Sequence, residues 1–374
     1  MAAPQEISLY AQLRKLRLCD CPPALSLDGF LDALAASVQL EELTLQGAFH
    51  RLLGEWPHGD PVPHRPPVSL PRLRSCRFYE YRIDRLSYFL AHLHLQPSAI
   101  HRIQGEVSCL HGAPKTIHAM LPPNRSATLP ALSLATNINM TICGNQYSIG
   151  CRHTKSSVDR PAGDSPRVLL MLTPSGYDWP WDRSMAQGLG DLVEAFGSSP
   201  LTRLTIRGDQ SNSTAAVWER VFRTFPLLEE LDLEGPRHAS SNVRDVFRGL
   251  HAASAPHTER ESESRCTVAC PNLRDIRLVG VATPSTYKAM HECLRYRGDR
   301  GVVLESLKMK SLADCYRDED EDEDEDDNDN NGDGDSLRRG FIEGVSDVVK
   351  SIEARKTMSE LEAEYQELDV DSDV

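Results

Sequence analysis

The apolar pattern L-x-x-L-x-L recurs along the chain and constrains the fold more than any other feature of the sequence. Clear copies begin at positions 13, 40, 73, 201, 228, 273 and 304, and weaker copies begin at positions 100, 129 and 167. Three of the intervals are 27 residues, and longer intervals contain polar or Pro-rich insertions such as residues 54–69 and 254–265. A unit of this length cannot bury its own apolar face, so a core requires neighbouring units to stack.

Each repeat is predicted to be a short strand followed by a helix. In L-x-x-L-x-L the fourth and sixth residues lie on one side of a strand, and the third and fifth lie on the other. Apolar residues at helical spacing between the strands predict helices over residues 26–37, 83–95, 183–196, 215–225, 242–252 and 285–296. We expect His92 and His94, within the second of these helices, to lie at the surface. The sequence therefore predicts an α/β fold.

Residues 135–152 depart from the repeat. Ile138, Met140 and Ile142 alternate with polar residues, and Gly144-Asn145 follows them. This pattern predicts an extra β-hairpin that interrupts the repeat.

Two segments resemble a known family. Residues 225–235 (Phe-Pro-Leu-Leu-Glu-Glu-Leu-Asp-Leu-Glu-Gly) and 270–280 (Cys-Pro-Asn-Leu-Arg-Asp-Ile-Arg-Leu-Val-Gly) are similar to repeats of fungal F-box/leucine-rich-repeat proteins. The resemblance covers about residues 10–312 and implies a leucine-rich repeat solenoid, a ribonuclease-inhibitor-like horseshoe of about ten repeats with insertions. The Asn or Cys that the family carries at the ninth repeat position occurs only at Cys21, so we expect an irregular solenoid.

The resemblance also implies a role in protein recognition. Members of the family are substrate-recognition parts of cullin-type ubiquitin ligases, and their F-box binds the ligase adaptor. Here the first repeat begins at Leu13, so we expect no F-box within this chain, and adaptor binding would require one upstream. We therefore expect a non-catalytic scaffold that binds one or more protein partners. Two alternatives stay open: an enzyme on an atypical fold, or a truncated relic without independent function.

The formal net charge of −14 is concentrated near the C-terminus. Residues 318–335 contain 13 acidic and no basic side chains, whereas residues 1–317 contain 36 basic and 32 acidic ones. A nearly balanced body lacks the basic field that nucleic-acid binding needs, so we expect no nucleic-acid partner. We predict a solenoid over residues 1–316, a disordered acidic insertion over 317–335 and an acidic, disordered tail over 354–374.

Residues 336–353 follow the acidic run and carry an apolar stripe. Leu337, Phe341, Val345, Val348 and Ile352 recur at helical spacing. This pattern predicts a C-terminal helix that packs on the solenoid, and the alternative is a helix presented to a partner.

No catalytic or metal-binding motif is present in the sequence. It lacks G-x-S-x-G, the phosphate-binding G-x-x-x-x-G-K-[ST], H-E-x-x-H and C-x-x-C. Residues 327–338 begin like a calcium-binding loop, but Arg338 occupies the position that requires Glu. We therefore predict no catalytic residue, cofactor or metal.

The sequence also predicts neither a membrane-spanning segment nor a secretory signal. No window approaches 18 uninterrupted apolar residues, and the ten scattered cysteines are typical of free thiols in a reducing compartment. We expect no membrane partner and a cytoplasmic or nuclear location.

The candidate binding site is the solvent-facing side of the strands. Basic residues occur there at the third and fifth repeat positions: Arg17, Arg77, Arg102, Arg203, Arg277 and Lys308. We expect these six residues to contact a partner, and we hypothesise that Arg17, Arg77, Arg102 and Arg203 help bind an acidic segment of it, or the acidic run of this chain. The alternative is a solvated face on which charges pair across neighbouring strands.

Overall fold

A computed structural model describes most of the chain in eleven ranges. These are residues 7–20, 26–49, 65–107, 116–143, 146–153, 166–174, 184–235, 243–254, 268–279, 284–310 and 340–355. The chain forms two compact units, Met1–Leu201 (unit 1) and Thr202–Val374 (unit 2). Each unit is mixed α/β, with mostly parallel strands accompanied by helices.

In the described residues of unit 1, the main sheet contains seven strands in the order β1-β2-β4-β6-β9-β8-β7. Its strands are β1 Lys15–Cys19, β2 Glu42–Gln46, β4 Ser75–Glu80, β6 Ile100–Val107, β7 Asn137–Cys143, β8 Gln146–Arg152 and β9 Val168–Pro174. A separate parallel pair joins β3 Val68–Ser69 to β5 Leu93–His94. β7 and β8 form an antiparallel hairpin that begins at the Cys143–Gln146 pair, and β8 is antiparallel to β9. The predicted hairpin is therefore confirmed.

Apolar side chains of unit 1 form rows because the strands pair in register. Leu45, Phe78, Ile103 and Leu170 occupy one such row on β2, β4, β6 and β9, and all four are buried. The residues between them on each strand point to the other side of the sheet. This alternation confirms the two-sided strand pattern predicted from the repeat.

The helices of unit 1 are α1 Leu27–Ala36, α2 Ile83–Ala91, α3 Arg125–Thr128, α4 Pro130–Ser133 and α5 Met185–Phe196, and short 3-10 helices span Ile7–Gln12 and His118–Met120. Ser26 and Ser184 begin α1 and α5 by accepting hydrogen bonds from the backbone N–H of Gly29 and Gln187. Phe89 on α2 contacts Phe78 on β4, with ring centroids 5.7 Å apart. The helix thereby covers the apolar side of the sheet.

Two predictions for unit 1 are wrong. Residues 129–134, predicted as a strand, lie largely in α4, where Pro130 begins the helix. The helix predicted over residues 83–95 ends at Ala91, so that His92 is the C-cap and is buried. Both errors arise because apolar residues three positions apart fit a helix and the end of a strand equally well, so the sequence pattern does not distinguish them.

Unit 2 contains a parallel sheet in the order β10-β11-β12-β13-β14. Its strands are β10 Arg203–Gly208, β11 Glu230–Glu234, β12 Asp275–Val279, β13 Leu304–Lys310 and β14 Val349–Arg355. Its helices are α6 Ala215–Thr224, α7 Arg244–Ser254, α8 Pro284–Gly298 and α9 over residues 340–345. Leu204, Leu231, Ile276 and Leu307 form a buried row in register across four of the strands.

The C-terminal helix predicted over residues 336–353 requires correction. Of its described residues, 340–353, only 340–345 are helical, and Phe341 and Val345 of this turn are buried. The chain then forms β14, which pairs in parallel with β13 from Leu304↔Val349 onwards. Val349 and Ile352 are β-branched and favour a strand, and the edge of β13 supplies hydrogen-bond partners for the backbone of β14. Residues 317–335 and 356–374 lie outside the described ranges.

Candidate protein-interaction surface

The solvent-facing side of the unit 1 sheet carries a row of basic residues across four neighbouring strands. Arg17 on β1 lies in register with Thr44 on β2, Thr44 with Arg77 on β4, and Arg77 with Arg102 on β6. We call these four residues the arginine row. Its three arginines are exposed, whereas the residues on either side of Arg77 and of Arg102 along their strands are buried. The row brings together three of the six basic residues predicted from the sequence.

Arg77 and Arg102 are direct neighbours. Adjacent strands lie about 4.8 Å apart, so the two side chains begin within contact distance of each other. Within the described ranges neither guanidinium forms an ion pair or a hydrogen bond. Arg17 donates a hydrogen bond from Nε to Sγ of Cys19, over 3.2 Å. The row is therefore positively charged and open to solvent.

Two tyrosines lie beside the row. Tyr79 follows Arg77 by two residues on β4, and its ring meets that of Tyr81 edge to face with centroids 5.4 Å apart. The Tyr79 hydroxyl donates a hydrogen bond to Glu106. Burial and then the Glu106 carboxylate raise the pKa of Tyr79, so the phenol remains a hydrogen-bond donor. Tyr81 is 47% exposed.

The other three predicted residues lie on unit 2 in a different electrostatic setting. Arg203 pairs with Glu230 at 3.2 Å and Arg277 pairs with Asp232 at 3.6 Å, in both cases across neighbouring strands. Lys308 is exposed and lies in register between Arg277 and Glu353. Burial raises the pKa of Asp232, and the positive charge of Arg277 opposes that rise. These basic side chains belong to a face on which opposite charges alternate.

The neighbourhood of Arg77 and Arg102 could not be found from the repeat. Aligning the repeats at positions 73 and 100 places Arg102 beside Ser75, whereas the structure pairs Ser75 with Ile100 and so moves Arg102 by two residues. The alternation within β6 is as predicted, with Ile103 buried and Arg102 exposed. The sequence predicts which side Arg102 lies on, but the register decides which residue lies beside it.

The shifted register places a thiol and an imidazole together in the core. Cys76 on β4 lies beside His101 on β6, with Sγ 3.2 Å from Nδ1, and both residues are buried. His101 Nε2 lies 3.0 Å from the Gln96 carbonyl, so Nε2 carries the proton and Nδ1 accepts from the Cys76 thiol.

This buried pair is unsuited to nucleophilic catalysis. Burial raises the pKa of the Cys76 thiol and lowers that of His101 to about 4. Both shifts are opposite to those of a reactive thiolate beside an imidazolium. The pair is a structural contact between two strands.

Other buried charged groups are also held by the fold. The Asp191 carboxylate accepts hydrogen bonds from Ile117 N–H at 2.9 Å, His118 N–H at 3.3 Å and the Tyr147 hydroxyl at 2.7 Å. The Arg297 guanidinium donates to three backbone carbonyls, including that of Cys270 at 3.0 Å. Within the described part of the chain, no group of three or more His, Cys, Asp or Glu residues could hold a metal ion.

Among the helices that the structure describes, none combines the length and the apolar character needed to cross a membrane. Comparison with known proteins adds no assignment. No protein-family model matches the chain, and no curated protein sequence matches it.

Proposed function

We propose that this chain is a non-catalytic protein-interaction scaffold, and that a protein partner binds the solvent-facing side of the unit 1 sheet. The arginine row carries this proposal. Its arginines are exposed, lie on a regular array of strands and, in the described ranges, have no acidic side chain paired with them. Exposed residues on a rigid framework are well suited to recognition, because their backbone is already ordered and only the side chains lose freedom on binding.

We propose further that the strand–helix units form a leucine-rich repeat solenoid. Apolar rows in register across parallel strands, and helices between successive strands, are compatible with stacked units of that kind. With the resemblance of residues 225–235 and 270–280, this suggests the substrate-recognition role of an F-box/leucine-rich-repeat protein in a cullin-type ubiquitin ligase. Such a role would be exercised in the cytoplasm or the nucleus.

Site-specific photo-crosslinking tests the proposed surface. A benzophenone amino acid is placed at Thr44, in the centre of the arginine row, and in a matched protein at Ala35, which is exposed on α1. Irradiation in native cells should join a discrete protein to position 44 and not to position 35. Mass spectrometry of the adduct identifies the partner, and an antibody against the ligase adaptor tests the ubiquitin-ligase role. Equal adducts at both positions, or none at position 44, would contradict the proposal.

A further inference from the structure

Several basic side chains on the solvent-facing sides of the two sheets lie beside an acid. Among the described residues, four of them lie in register beside a carboxylate with which they pair. These pairs are Lys15–Glu42 at 2.7 Å, Arg203–Glu230 at 3.2 Å, Arg207–Glu234 at 2.9 Å and Arg277–Asp232 at 3.6 Å. Opposite charges therefore lie on adjacent strands at one position of unit 1 and at three positions of unit 2.

Arg77 and Arg102 break this arrangement. They are in register on adjacent strands, both are exposed, and neither has an acidic partner in the described ranges. Like charges directly opposite each other destabilise a sheet. The pair therefore weakens the free protein, whereas an anion placed between the two guanidiniums would be held by charge-assisted hydrogen bonds.

We propose that Arg77 and Arg102, together with Arg17, bind an acidic peptide segment of the partner protein; this inference rests on the proposed function and specifies the partner's chemistry. Arg17 lies two strands from Arg77, or about 10 Å away at the usual strand spacing. An extended peptide advances about 3.3 Å per residue, so carboxylates three residues apart would match that distance.

The acidic residues around the row determine how the segment lies. Glu42 on β2 is held by Lys15 on one side of the row, and Glu106 lies four residues beyond Arg102 on β6. Both would repel a chain of carboxylates that ran along the strands. The favourable path therefore crosses the strands along the row, from Arg17 past Thr44 to Arg77 and Arg102.

A linear segment fits this surface better than a single anion. Arg77 and Arg102 alone would suit one carboxylate or phosphate, but the third arginine extends the positive charge over four strands. Residues 1–317 contain 36 basic and 32 acidic side chains, so non-specific electrostatics would attract an acidic peptide to this part of the chain only weakly. Binding of such a peptide would therefore report a local site.

The test measures binding of a fluorescent ten-residue peptide of alternating Asp and Glu to the full chain by anisotropy. A second protein, with residues 318–327 replaced by Asn and Gln, removes competition from the chain's own acidic run. We expect the double variant R77Q/R102Q to bind the peptide about tenfold more weakly or worse, because two charge-assisted contacts are lost. The matched control R203Q/R277Q removes the same charge from paired arginines of unit 2 and should change the affinity less than about twofold.

Three results would overturn the proposal. They are no binding of the peptide by either the wild-type or the neutralised chain, equal weakening in both double variants, and equally tight binding of a ten-residue single-stranded DNA. Thermal unfolding provides a second readout: R77Q/R102Q should unfold at the same or a higher temperature than the wild type. If the peptide fails to bind while crosslinking at Thr44 persists, the acidic-segment inference fails and the interaction surface stands.

Discussion

At the scale of single residues, the contact between Cys76 and His101 links two adjacent strands of unit 1. His101 is fully buried, and its ring nitrogens are both engaged, one by the Gln96 carbonyl and one by the Cys76 thiol. A protonated ring could not accept from the thiol and would be a buried charge without an acidic partner among these contacts. The folded protein therefore holds His101 in its neutral form.

This contact predicts a pH dependence of stability. Burial lowers the folded-state pKa of His101 from 6.5 to about 4, so the unfolded chain binds the proton more readily in that interval. The stabilisation is complete above about pH 6.5 and is lost as the pH falls towards 4. Between pH 7 and pH 5, His101 should cost the wild type about 2 kcal/mol of unfolding free energy.

The variant His101→Gln isolates this effect, because an amide can hydrogen-bond in the same place without titrating. Urea unfolding of both proteins at pH 7 and pH 5 gives the comparison. The wild type should lose more stability between the two pH values than the variant does. Parallel losses in the two proteins would show that His101 does not titrate in this range.

At the scale of helices and strands, α6 and α7 approach closely at a glycine. A Cβ atom at Gly249 on α7 would clash with the Trp218 side chain and would lie 2.7 Å from the Ala215 carbonyl oxygen. The backbone oxygen on α6 cannot move aside as a flexible side chain could. Trp218 itself is fully buried, and its Nε1 donates to Ser213 Oγ at 2.9 Å, so the ring is held in place.

Two glycine substitutions should therefore have effects of opposite sign. Gly249→Ala should destabilise unit 2 by about 2 kcal/mol, since the added methyl forces the helices apart. Gly190→Ala on α5 meets nothing within 4 Å and should stabilise the chain by about 0.5 kcal/mol, because alanine favours a helix. Urea unfolding measures both changes. A neutral Gly249→Ala would mean that the two helices are separated more widely than the structure shows.

The sequence pattern is ambiguous for some of the helices and strands. The six helices predicted between the strands are all present, with ends that differ by up to four residues. Residues 129–134 and 349–353 were misassigned, because apolar residues three and four apart fit a short helix and a strand with a buried end alike. Pro130 favours the start of a helix in the first segment, and pairing with the edge of β13 favours a strand in the second.

At the scale of the whole molecule, charge is unevenly distributed along the chain. Residues 1–317 are nearly balanced, whereas residues 318–335 contain 13 acidic side chains. The ion pairs on the two sheets are largely exposed, as for Arg203 and Glu230, whose side chains are 50% and 36% exposed. Such pairs contribute little to stability, and salt screens them further.

Salt should accordingly affect stability and binding to different extents. Raising the salt concentration from about 0.05 to 0.5 M should change the unfolding free energy of the chain by less than about 1 kcal/mol. Binding of the acidic peptide should weaken steeply over the same range, because it depends on unneutralised arginines. Thermal unfolding and peptide titration in the same buffers make the comparison. A large salt-dependent change in unfolding would contradict this separation.

The sequence by itself determined most of the strand–helix alternation, the hairpin at residues 135–152 and, in the predicted strands that the structure confirms, the side that faces the core. These features depend on periods of two and 3.6 residues, which act over short stretches of chain. Only the tertiary structure decided that Arg77 lies beside Arg102, that Arg203 and Arg277 are paired with acids, and that residues 349–355 add a strand. Those outcomes depend on the register and order of strands that are far apart in sequence, and no local pattern specifies them.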